Sequence, residues 1–592
     1  MITLKGKLVI AGAVLLGLGA LVWRFDLATK WLAPPPKQTV AVSAAALKQK
    51  VADATANAAT SVKQVFNPAQ VQEKLLAGTN AIAMSGGSAI PPVTGVSAYK
   101  LEMKNGKPVL NVPINVWPGW SSLIVANAGM AANDNSIFYR KYGFYVQLSI
   151  VDDPVKAREL FTSGYSQVLW GTLDMMAMFA PELCKDSRTV PVIPFQFDFS
   201  AGGDGCVARN GIKNINDFRA VNGKKKTVVL AQNSPSQFFF FLMLTDANID
   251  TQEINFIWTA DAPSAAKLFV QDTKIDAFVG WSPDIYTVAD MVPNTRMVVN
   301  SSSANHIVAD VCAFRNDFYR DHKPIVIGFV NGVLEGMEMV RKDITNSVEL
   351  VSKAFGLPKA DVFNMIGKDG GIASGDAHMT NYRENHKFFL DPMNPNNFES
   401  IWAKASTLYQ SLGVIETVVQ AGKVKASDPI LSLSDKWKGS TDLSQPNFDK
   451  LTSINVLELD EKQVLATAIT IRFPAGKWSV DTNYDATALA SVKKIAEIAA
   501  NFGNAYIIIE GNTDASMKGL VPADAIKKLS YDRADGVKTA ILKMFPSFDP
   551  NKFRVVGNGW GNPLPGCTDA TDKEQNKKNR RTEIKVLPLE GD

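Results

Sequence analysis

The stretch KTVVLAQNSPSQFFFFLML (Lys226–Leu244) places a β-rich run, a polar turn and an apolar helical segment in direct succession. Its turn, Asn233 to Gln237, offers backbone N–H groups and hydroxyls at the start of a helix, where polar or anionic groups are attracted. The same alternation recurs from Pro113 to about Gly439. It predicts an α/β domain with a largely parallel sheet, whose ligand lies beyond the C-terminal ends of the strands. The other clear β-rich runs are INVWPGW, YVQLSIV, SQVLWG, INFIWTA and IDAFVGW.

Length and composition limit the class of protein. A chain of 592 residues is too long for one ordinary domain, so two or three are expected. The net charge of +4 is small for this length and gives no reason to expect a nucleic-acid partner. Four cysteines and four histidines are scattered without zinc-site spacing, and no phosphate-loop motif occurs. The sequence therefore predicts a protein that is not an enzyme and that has no cofactor or metal.

An apolar segment of 16 residues, Leu8–Trp23, follows Lys5 and Lys7 and precedes Arg24. It is slightly short for a bilayer, but flanking Lys and Arg side chains can snorkel to the membrane surface. A cleaved signal peptide is the alternative, although no clear small-x-small cleavage site follows. We expect residues 1–32 to form a cytoplasmic tip and an uncleaved single-pass anchor, with the bulk of the chain outside the inner membrane.

Composition divides the rest of the chain. Residues 33–112 are rich in Ala, Ser, Pro and Lys and poor in aromatic residues, which predicts a low-complexity linker. The α/β domain spans residues 113–439, and a second linker spans 440–450. Residues 451–592 again alternate between β-rich and helical stretches, which predicts a smaller α/β unit.

The middle domain resembles the periplasmic solute-binding proteins of the nitrate, taurine, sulfonate and thiamine-precursor transport group. The motifs that carry the resemblance are INVWPGWSSLIVANAGM, GYSQVLWGTLD, FDFSAGGDGCVAR, GIKNINDF, LAQNSPSQFFFFLML and IDAFVGWSPD, in this order. The resemblance implies two α/β lobes that close on a small polar solute, and an ABC transporter permease as partner. It places the crossover strands at Gly203–Asn210 and Asp310–Asp317, with Cys206 and Cys312 as either a disulfide or two separate thiols. Related fungal proteins synthesise the thiamine pyrimidine with a cysteine-rich motif, which this chain lacks.

Candidate solute-binding residues follow from the cleft that the resemblance implies. Trp117, Trp120 and Trp281 offer flat apolar walls, although each is equally explained as a core residue. Asp174, Asp204, Asp261 and Asp284 fall in loops at the cleft, where they either face water or point inward; two inward carboxylates would favour a cationic or amine-bearing ligand. The predicted solute-binding residues are Trp117, Thr172, Asp174, Ser200, Gly203, Asp204, Ser234, Ser236, Trp281 and Asp284.

The C-terminal unit resembles the OmpA-like peptidoglycan-binding domain, a small α/β sandwich. The motifs are EGNTD, LSYDRA and NRRTEI, with Asn512 where the family usually has His. Ser530 reads as an N-cap, which puts Arg533 at a first-turn position that the helix dipole disfavours; a surface ion pair is the alternative to a functional role. The resemblance implies that Asp514 binds the ammonium and Arg533 the carboxylate of a diaminopimelate stem peptide. Asn579 and Arg580 match a further contact near that pocket.

Together these features predict an envelope protein of a Gram-negative bacterium, anchored in the inner membrane, that binds a small solute for uptake or sensing and holds peptidoglycan. A structural or stator-like scaffold with a non-transporting binding fold is the alternative. Flagellar stator subunits need an ionisable Asp within the membrane span, and Leu8–Trp23 contains no charged residue. A ligand-gated scaffold that signals to a partner remains a third possibility, and the sequence leaves the solute open.

Overall fold

Two mixed α/β lobes and a C-terminal α/β unit make up the part of the chain that the computed structural model describes. The described residues are 90–209, 211–443, 448, 463–469, 471, 480 and 486–589. The apolar segment Leu8–Trp23 and most of the predicted linker lie outside them. Within the described ranges, no helix has both the length and the apolar character required to cross a membrane.

The first lobe is built on antiparallel strands around a central β11. Strands β4 and β5 flank β11, and β12 pairs with the outer side of β5. A second set, β1–β2–β3, has β2 and β3 parallel and joins the first through Ser166 Oγ, which donates to Asn111 O at 2.9 Å. The strands are β1 (Glu102–Lys104), β2 (Lys107–Ile114), β3 (Tyr145–Ile150), β4 (Val168–Thr172), β5 (Pro191–Ser200), β11 (Ala309–Arg315) and β12 (Ala377–Met379).

Strand β1 and all but the last two residues of β2 lie upstream of the predicted domain start at Pro113. Residues 109–114 of β2 are buried, because this strand pairs with β3 in the core of the lobe. The end of the stretch predicted as a linker therefore belongs to the first lobe. The helices of this lobe are Ser121–Ala126, Ile137–Tyr142, Pro154–Thr162, Leu173–Leu183, Asn316–Asp321, Lys323–Lys342, Ile344–Phe355, Lys359–Ile366, Tyr382–Leu390, Phe398–Ser411, Asp428–Ser432 and Ser434–Trp437.

The second lobe has a five-stranded sheet in the order β10-β6-β9-β7-β8. Strands β9, β7 and β8 are parallel, and β6 runs antiparallel to both β9 and β10. The stretch Lys226–Leu244 forms β7 and most of the helix after it, as its sequence pattern predicts. The elements are β6 (Asp204–Arg209), β7 (Lys226–Ala231), β8 (Ile254–Thr259), β9 (Ala277–Trp281) and β10 (Thr295–Asn300), with helices Pro235–Asp246, Ala262–Gln271 and Asp284–Met291.

The chain crosses between the lobes twice, at residues 201–203 and 301–308. Ser200 Oγ and Ser301 Oγ are 2.7 Å apart, and the amide of Asp204 donates to both hydroxyls at 3.1 Å. The two stretches predicted as crossover strands thus form β6 and β11, which belong to different sheets. The chain crosses between the lobes just before each of these strands. Cys206 and Cys312, one on each of these strands, are free buried thiols, so the disulfide alternative is wrong.

The C-terminal unit is a four-stranded sheet in the order β13-β16-β14-β15, with two helices packed on it. Strands β14 and β15 are parallel, while β16 runs antiparallel to β14 and β13. Apolar stripes on both helices, including Val492 and Val537, cover the sheet. The elements are β13 (Leu465–Ile469), β14 (Ala505–Asn512), β15 (Phe553–Gly559) and β16 (Thr582–Pro588), with helices Ala486–Asn501, Ala523–Met544 and Lys573–Asn579.

This unit packs directly against both lobes. Lys494 Nζ lies 2.6 Å from Asp246 Oδ1 at the end of a second-lobe helix, and both side chains are almost fully buried. Asn501 donates to Asp246 Oδ2 at 2.9 Å and accepts a bond from Lys404, which belongs to a helix beside the first lobe. The helix Ala486–Asn501 therefore joins three parts of the molecule.

Candidate functional site

The candidate site lies where an edge of the first-lobe sheet meets an edge of the second-lobe sheet. In the second lobe, the register pairs Asp204 at the start of β6 with Trp281 at the end of β9. Strand β7 is parallel to β9, so the turn after Ala231 lies at the same edge. In the first lobe, Asp310 pairs with Thr172 on one side and with Asp198 on the other. The two crossings connect these edges and bring them face to face.

Five buried aspartates gather at this junction. Asp204 is within electrostatic reach of three others, because the charges of Asp174, Asp198 and Asp376 each raise its pKa. Asp310 lies beside Asp198 in the register, and the charge of Asp198 raises its pKa. We name this set the inner aspartates: Asp174, Asp198, Asp204, Asp310 and Asp376.

Burial is the main cause of their perturbed ionisation. It raises the pKa of Asp174, Asp198 and Asp204 to about 7 in each case. Burial likewise raises the pKa of Asp376 to about 6, against the opposing hydrogen bond from Tyr286. A buried carboxylate is disfavoured when no cation compensates its lost hydration. The site is therefore poised to take up positive charge, either as protons or as a ligand.

Neutral donors hold the inner aspartates in place. Trp117 Nε1 donates to Asp198 Oδ1 at 3.1 Å, and Tyr409 O–H donates to Asp174 Oδ2 at 3.1 Å. Tyr286, on a helix of the second lobe, donates to Asp376 Oδ1 at 2.7 Å. The last bond joins the two lobes across the cleft. None of the five forms an ion pair with Lys or Arg in the described ranges.

The turn after β7 supplies neutral polar groups at the same edge. Ser234 and Ser236 are fully buried; Ser234 Oγ donates to Ala231 O at 2.7 Å. The amide of Asn233 donates to Gln237 Oε1 at 2.9 Å, and Asn233 adopts a left-handed φ of 54°. Ser236 Oγ, Gln237 Nε2 and both side-chain polar atoms of Asn233 have no hydrogen-bonding partner among the described residues.

The tryptophans have unequal roles. Trp117 is buried against the crossing: a Cβ atom at Gly203 would lie 2.5 Å from its Cη2 atom, so only glycine fits there. Trp281 lines the same edge opposite Asp204. Trp120 belongs to the core instead, where its Nε1 donates to Asn115 Oδ1 at 2.7 Å and its ring packs on Phe197.

A second acidic group forms the rim of the cleft. Burial, followed by the charges of Asp261 and Asp152, raises the pKa of Asp284 to about 6. Asp261 also caps its helix by accepting a bond from Ser264 N at 2.8 Å. Asp152 comes from the first lobe, where it accepts a bond from Val116 N at 2.8 Å. The rim thus takes carboxylates from both lobes.

The C-terminal unit brings together three of its four predicted site residues. Asp514 forms an ion pair with Arg580 and accepts a bond from Ser516 N at 2.8 Å. Arg533 lies near both, since Arg580 lowers and Asp514 raises its pKa, after a larger lowering by burial. Asn579 is engaged elsewhere: its Oδ1 accepts from Leu564 N at 2.8 Å and its Nδ2 donates to Cys567 O at 2.7 Å.

The predicted helix start at Ser530 is wrong. The helix spans Ala523–Met544, and Ser530 lies inside it with its hydroxyl accepting a bond from Gly559 N at 2.9 Å. A Cβ atom at Gly511 would lie 2.0 Å from Ser530 O, so the helix backbone rests directly on β14. This close approach, and not a first-turn position, carries Arg533 to the end of β14 beside Asp514.

Sequence reasoning missed several residues of the cleft. Asp198 and Asp310 are single acids within apolar strands, in VIPFQFDFS and IVADVCAF. An isolated carboxylate in a buried strand is a signal for function, because burial without a partner is unfavourable. Asp376, Tyr286 and Tyr409 had no comparable signal, since their positions depend on contacts between distant segments.

Comparisons with known proteins found similarity only to solved structures. No family model matches the sequence. No curated protein matches it either. The alkanesulfonate-binding protein SsuA from Xanthomonas axonopodis pv. citri is similar at 12% identity and a TM-score of 0.40, over 54% of this chain and 98% of that one.

Two other solved structures give comparable values. The periplasmic nitrate-binding protein NrtA from Synechocystis PCC 6803 has 12% identity and a TM-score of 0.41, over 56% of this chain and 89% of that one. The desulfurization enzyme DSZB has 12% identity and a TM-score of 0.37, over 55% and 99%. These similarities extend over about half of the chain. The strand orders described above are those of two mixed α/β lobes.

Proposed function

We propose that the two-lobed region binds a small polar solute in the cleft between its lobes. The supporting observation is the set of buried polar atoms there without hydrogen-bonding partners in the described part of the chain, such as Ser236 Oγ and Asp204 Oδ1. Buried polar groups in folded proteins are nearly always hydrogen-bonded, so a solute or ordered water would complete these bonds. Such binding would serve uptake through an ABC transporter permease, or sensing.

Thermal unfolding of the full chain tests this function. A bound solute should raise the melting temperature by mass action and change tryptophan fluorescence as the cleft closes. Trp281→Ala should weaken binding by about 1–3 kcal/mol if the ring stacks on the solute. Trp560→Ala, in the C-terminal unit, is the matched control and should bind normally. Equal binding by both variants would remove Trp281 from the site.

We further infer that the C-terminal unit attaches non-covalently to peptidoglycan through a diaminopimelate stem peptide. One carboxylate and two guanidinium groups lie together there, on Asp514, Arg533 and Arg580. A zwitterionic ligand needs both signs of charge: Asp514 would bind its ammonium and Arg533 its carboxylate. Arg580 would exchange its bond to Asp514 for one to the ligand, while Asn579 would support the neighbouring loop.

Co-sedimentation of the full chain with purified sacculi tests the wall contact. Asp514→Ala and Arg533→Ala should each lose most of the binding, because removal of one partner from a desolvated charge pair costs about 2–5 kcal/mol. Asp535→Ala is the control, since this carboxylate is exposed on the same helix. Undiminished sedimentation of both site variants would end the assignment.

The remaining parts of the proposal concern location and chemistry. We propose that Leu8–Trp23 anchors the protein in the inner membrane of a Gram-negative bacterium, with the binding units in the periplasm, and that the protein binds its solute without chemically changing it. Protease treatment of spheroplasts tests the topology: the two-lobed region should be cleaved in intact spheroplasts. Protection of that region would place it in the cytoplasm.

A scaffold between membrane and wall, with a binding fold that does not transport, is the second candidate. The contacts of the Ala486–Asn501 helix with both lobes favour it, because they tie the wall-binding unit to the clamp. Failure of a broad solute screen, together with intact sedimentation on sacculi, would select this candidate.

A further inference from the structure

The charge at the cleft is predominantly negative, although the charge of His378 lowers the pKa of Asp198. The inner aspartates lie at its base, and Asp152, Asp261 and Asp284 lie at its rim. We propose that the solute of the cleft is a small organic cation that carries a protonated amino group. This inference rests on the solute binding proposed above and adds the charge class of the ligand.

Unsatisfied carboxylate oxygens point to such a ligand. Asp174 Oδ1, Asp204 Oδ1 and Asp376 Oδ2 have no hydrogen-bonding partner among the described residues, and their side chains are 1%, 1% and 5% exposed. An ammonium group offers three N–H donors to acceptors arranged around it. Its positive charge would also compensate the lost hydration of these carboxylates.

Independent polar groups at the same sheet edge complete the site. Ser236 Oγ, Gln237 Nε2 and the side-chain amide of Asn233 are fully buried and unpartnered in the described chain. They come from the turn after β7, not from an acidic segment. Such groups would hold the neutral polar part of the solute and so fix its orientation.

The relative size of the opposing charges argues against an anionic solute. The N-terminus of the helix Pro235–Asp246 at this edge contributes about half a positive charge. Five carboxyl groups lie at the base of the cleft. The negative charge of only two ionised carboxylates is already several times larger than this half charge. No Lys or Arg of the described ranges forms an ion pair with any of the five. An anion would therefore be repelled from the base of the cleft.

The rim extends the same preference to the entrance. Asp152 comes from the first lobe, while Asp261 and Asp284 come from the second. The repulsion among these like charges contributes to the raised pKa of Asp284. A cation passing the rim would be attracted from solution, as clefts lined by one sign of charge concentrate the opposite ion.

Paired probes that differ in charge test the inference on the full chain. We expect a thermal shift and a calorimetric binding signal with butylamine, 1,4-diaminobutane or another small aliphatic amine, and none with the neutral isostere butanol. Nitrate, taurine, methanesulfonate, Mg²⁺ and Ca²⁺ complete the panel. Binding of anions, neutral solutes or metal ions alone would overturn the proposal of an organic cation, while the proposal that the cleft binds a solute would stand. No binding by any probe would overturn both proposals.

Isosteric variants then locate the cation. Asp204→Asn and Asp174→Asn should each weaken amine binding about tenfold or more at pH 8. Asp290→Asn removes the same charge from an exposed position of the second lobe and should change binding less than twofold. Ligand-free melting temperatures show that the variants are folded. Amine binding that is unchanged in both site variants would overturn the assignment to the inner aspartates.

Discussion

Asp204 illustrates the energetic consequence of a carboxyl group buried without a cation. Its pKa is raised from 3.8 to about 7, first by burial and then by the charges of Asp174, Asp198 and Asp376. The folded chain therefore holds this proton over a range in which the unfolded chain has released it. Stability from this group is present below about pH 4 and is lost as the pH rises through about 7.

The Asp204→Asn variant makes that linkage measurable. A shift from 3.8 to about 7 corresponds to at most about 4 kcal/mol, so the ligand-free variant should be more stable than the parent at pH 8 by a part of this. At pH 4.5 the two should unfold nearly alike. Urea unfolding at both values, with Asp290→Asn as control, measures the difference. A variant that is equally destabilised at both values would contradict the raised pKa.

At the scale of elements, the contact of one helix with two strands positions the C-terminal site. The helix Ala523–Met544 rests on Gly511 of β14 and Gly557 of β15, where a Cβ atom would lie 2.0 Å from Ser530 O and 2.5 Å from Lys527 O. Ser530 Oγ also accepts a bond from Gly559 N in β15. Arg533 is one helical turn further on, so its place beside Asp514 depends on this packing.

Gly511→Ala tests whether backbone approach sets the site. The added methyl group meets backbone, which cannot rotate away, so the helix must shift and the variant should lose about 1–3 kcal/mol of stability. The displacement should also weaken sedimentation with sacculi. Gly422→Ala is the control, because a Cβ atom there meets nothing within 4 Å. Normal stability and normal wall binding of Gly511→Ala would show that the helix position is not what holds Arg533.

At the scale of the whole molecule, a buried charge network joins the C-terminal unit to both lobes. The side chains of Lys494 and Asp246 are 6% and 0% exposed, and their charged atoms are 2.6 Å apart. Asn501 and Lys404 extend the network to the first lobe. If a solute changes the angle between the lobes, this joint would couple the proposed solute cleft to the proposed peptidoglycan site.

A double-mutant cycle measures the joint. Asp246→Asn or Lys494→Met alone should destabilise the full chain by about 3–5 kcal/mol, since each unbalances a buried charge network in which Glu497 and Lys404 also act on this pair. The double variant should lose clearly less than the sum of the two, as expected for residues in direct contact. Chemical denaturation of the four proteins provides the comparison. Additive losses would show that the ion pair does not link the units.

Local sequence patterns were sufficient for much of the fold. The runs KTVVLA, INFIWT and AFVGW are strands, and polar turns follow them at one edge of the sheet, because side-chain periodicity and turn chemistry act over a few residues. The resemblance to solute-binding proteins, and not a local pattern, suggested Asp174, Asp204, Ser236 and Trp281 as cleft residues. Asp514 and Arg533 likewise lie at one site.

Long-range contacts decided the rest. Asp198 meets Asp310 only because β5 pairs with β11 across more than a hundred residues, and no local pattern specifies that register. Ser530 has the chemistry of an N-cap but lies within a helix that begins at Ala523, and its hydroxyl accepts a bond from Gly559 N of a distant strand. The acidic base of the cleft exists only in the folded chain. Burial and like charge are the basis of the proposed cation site, and both are properties of tertiary structure.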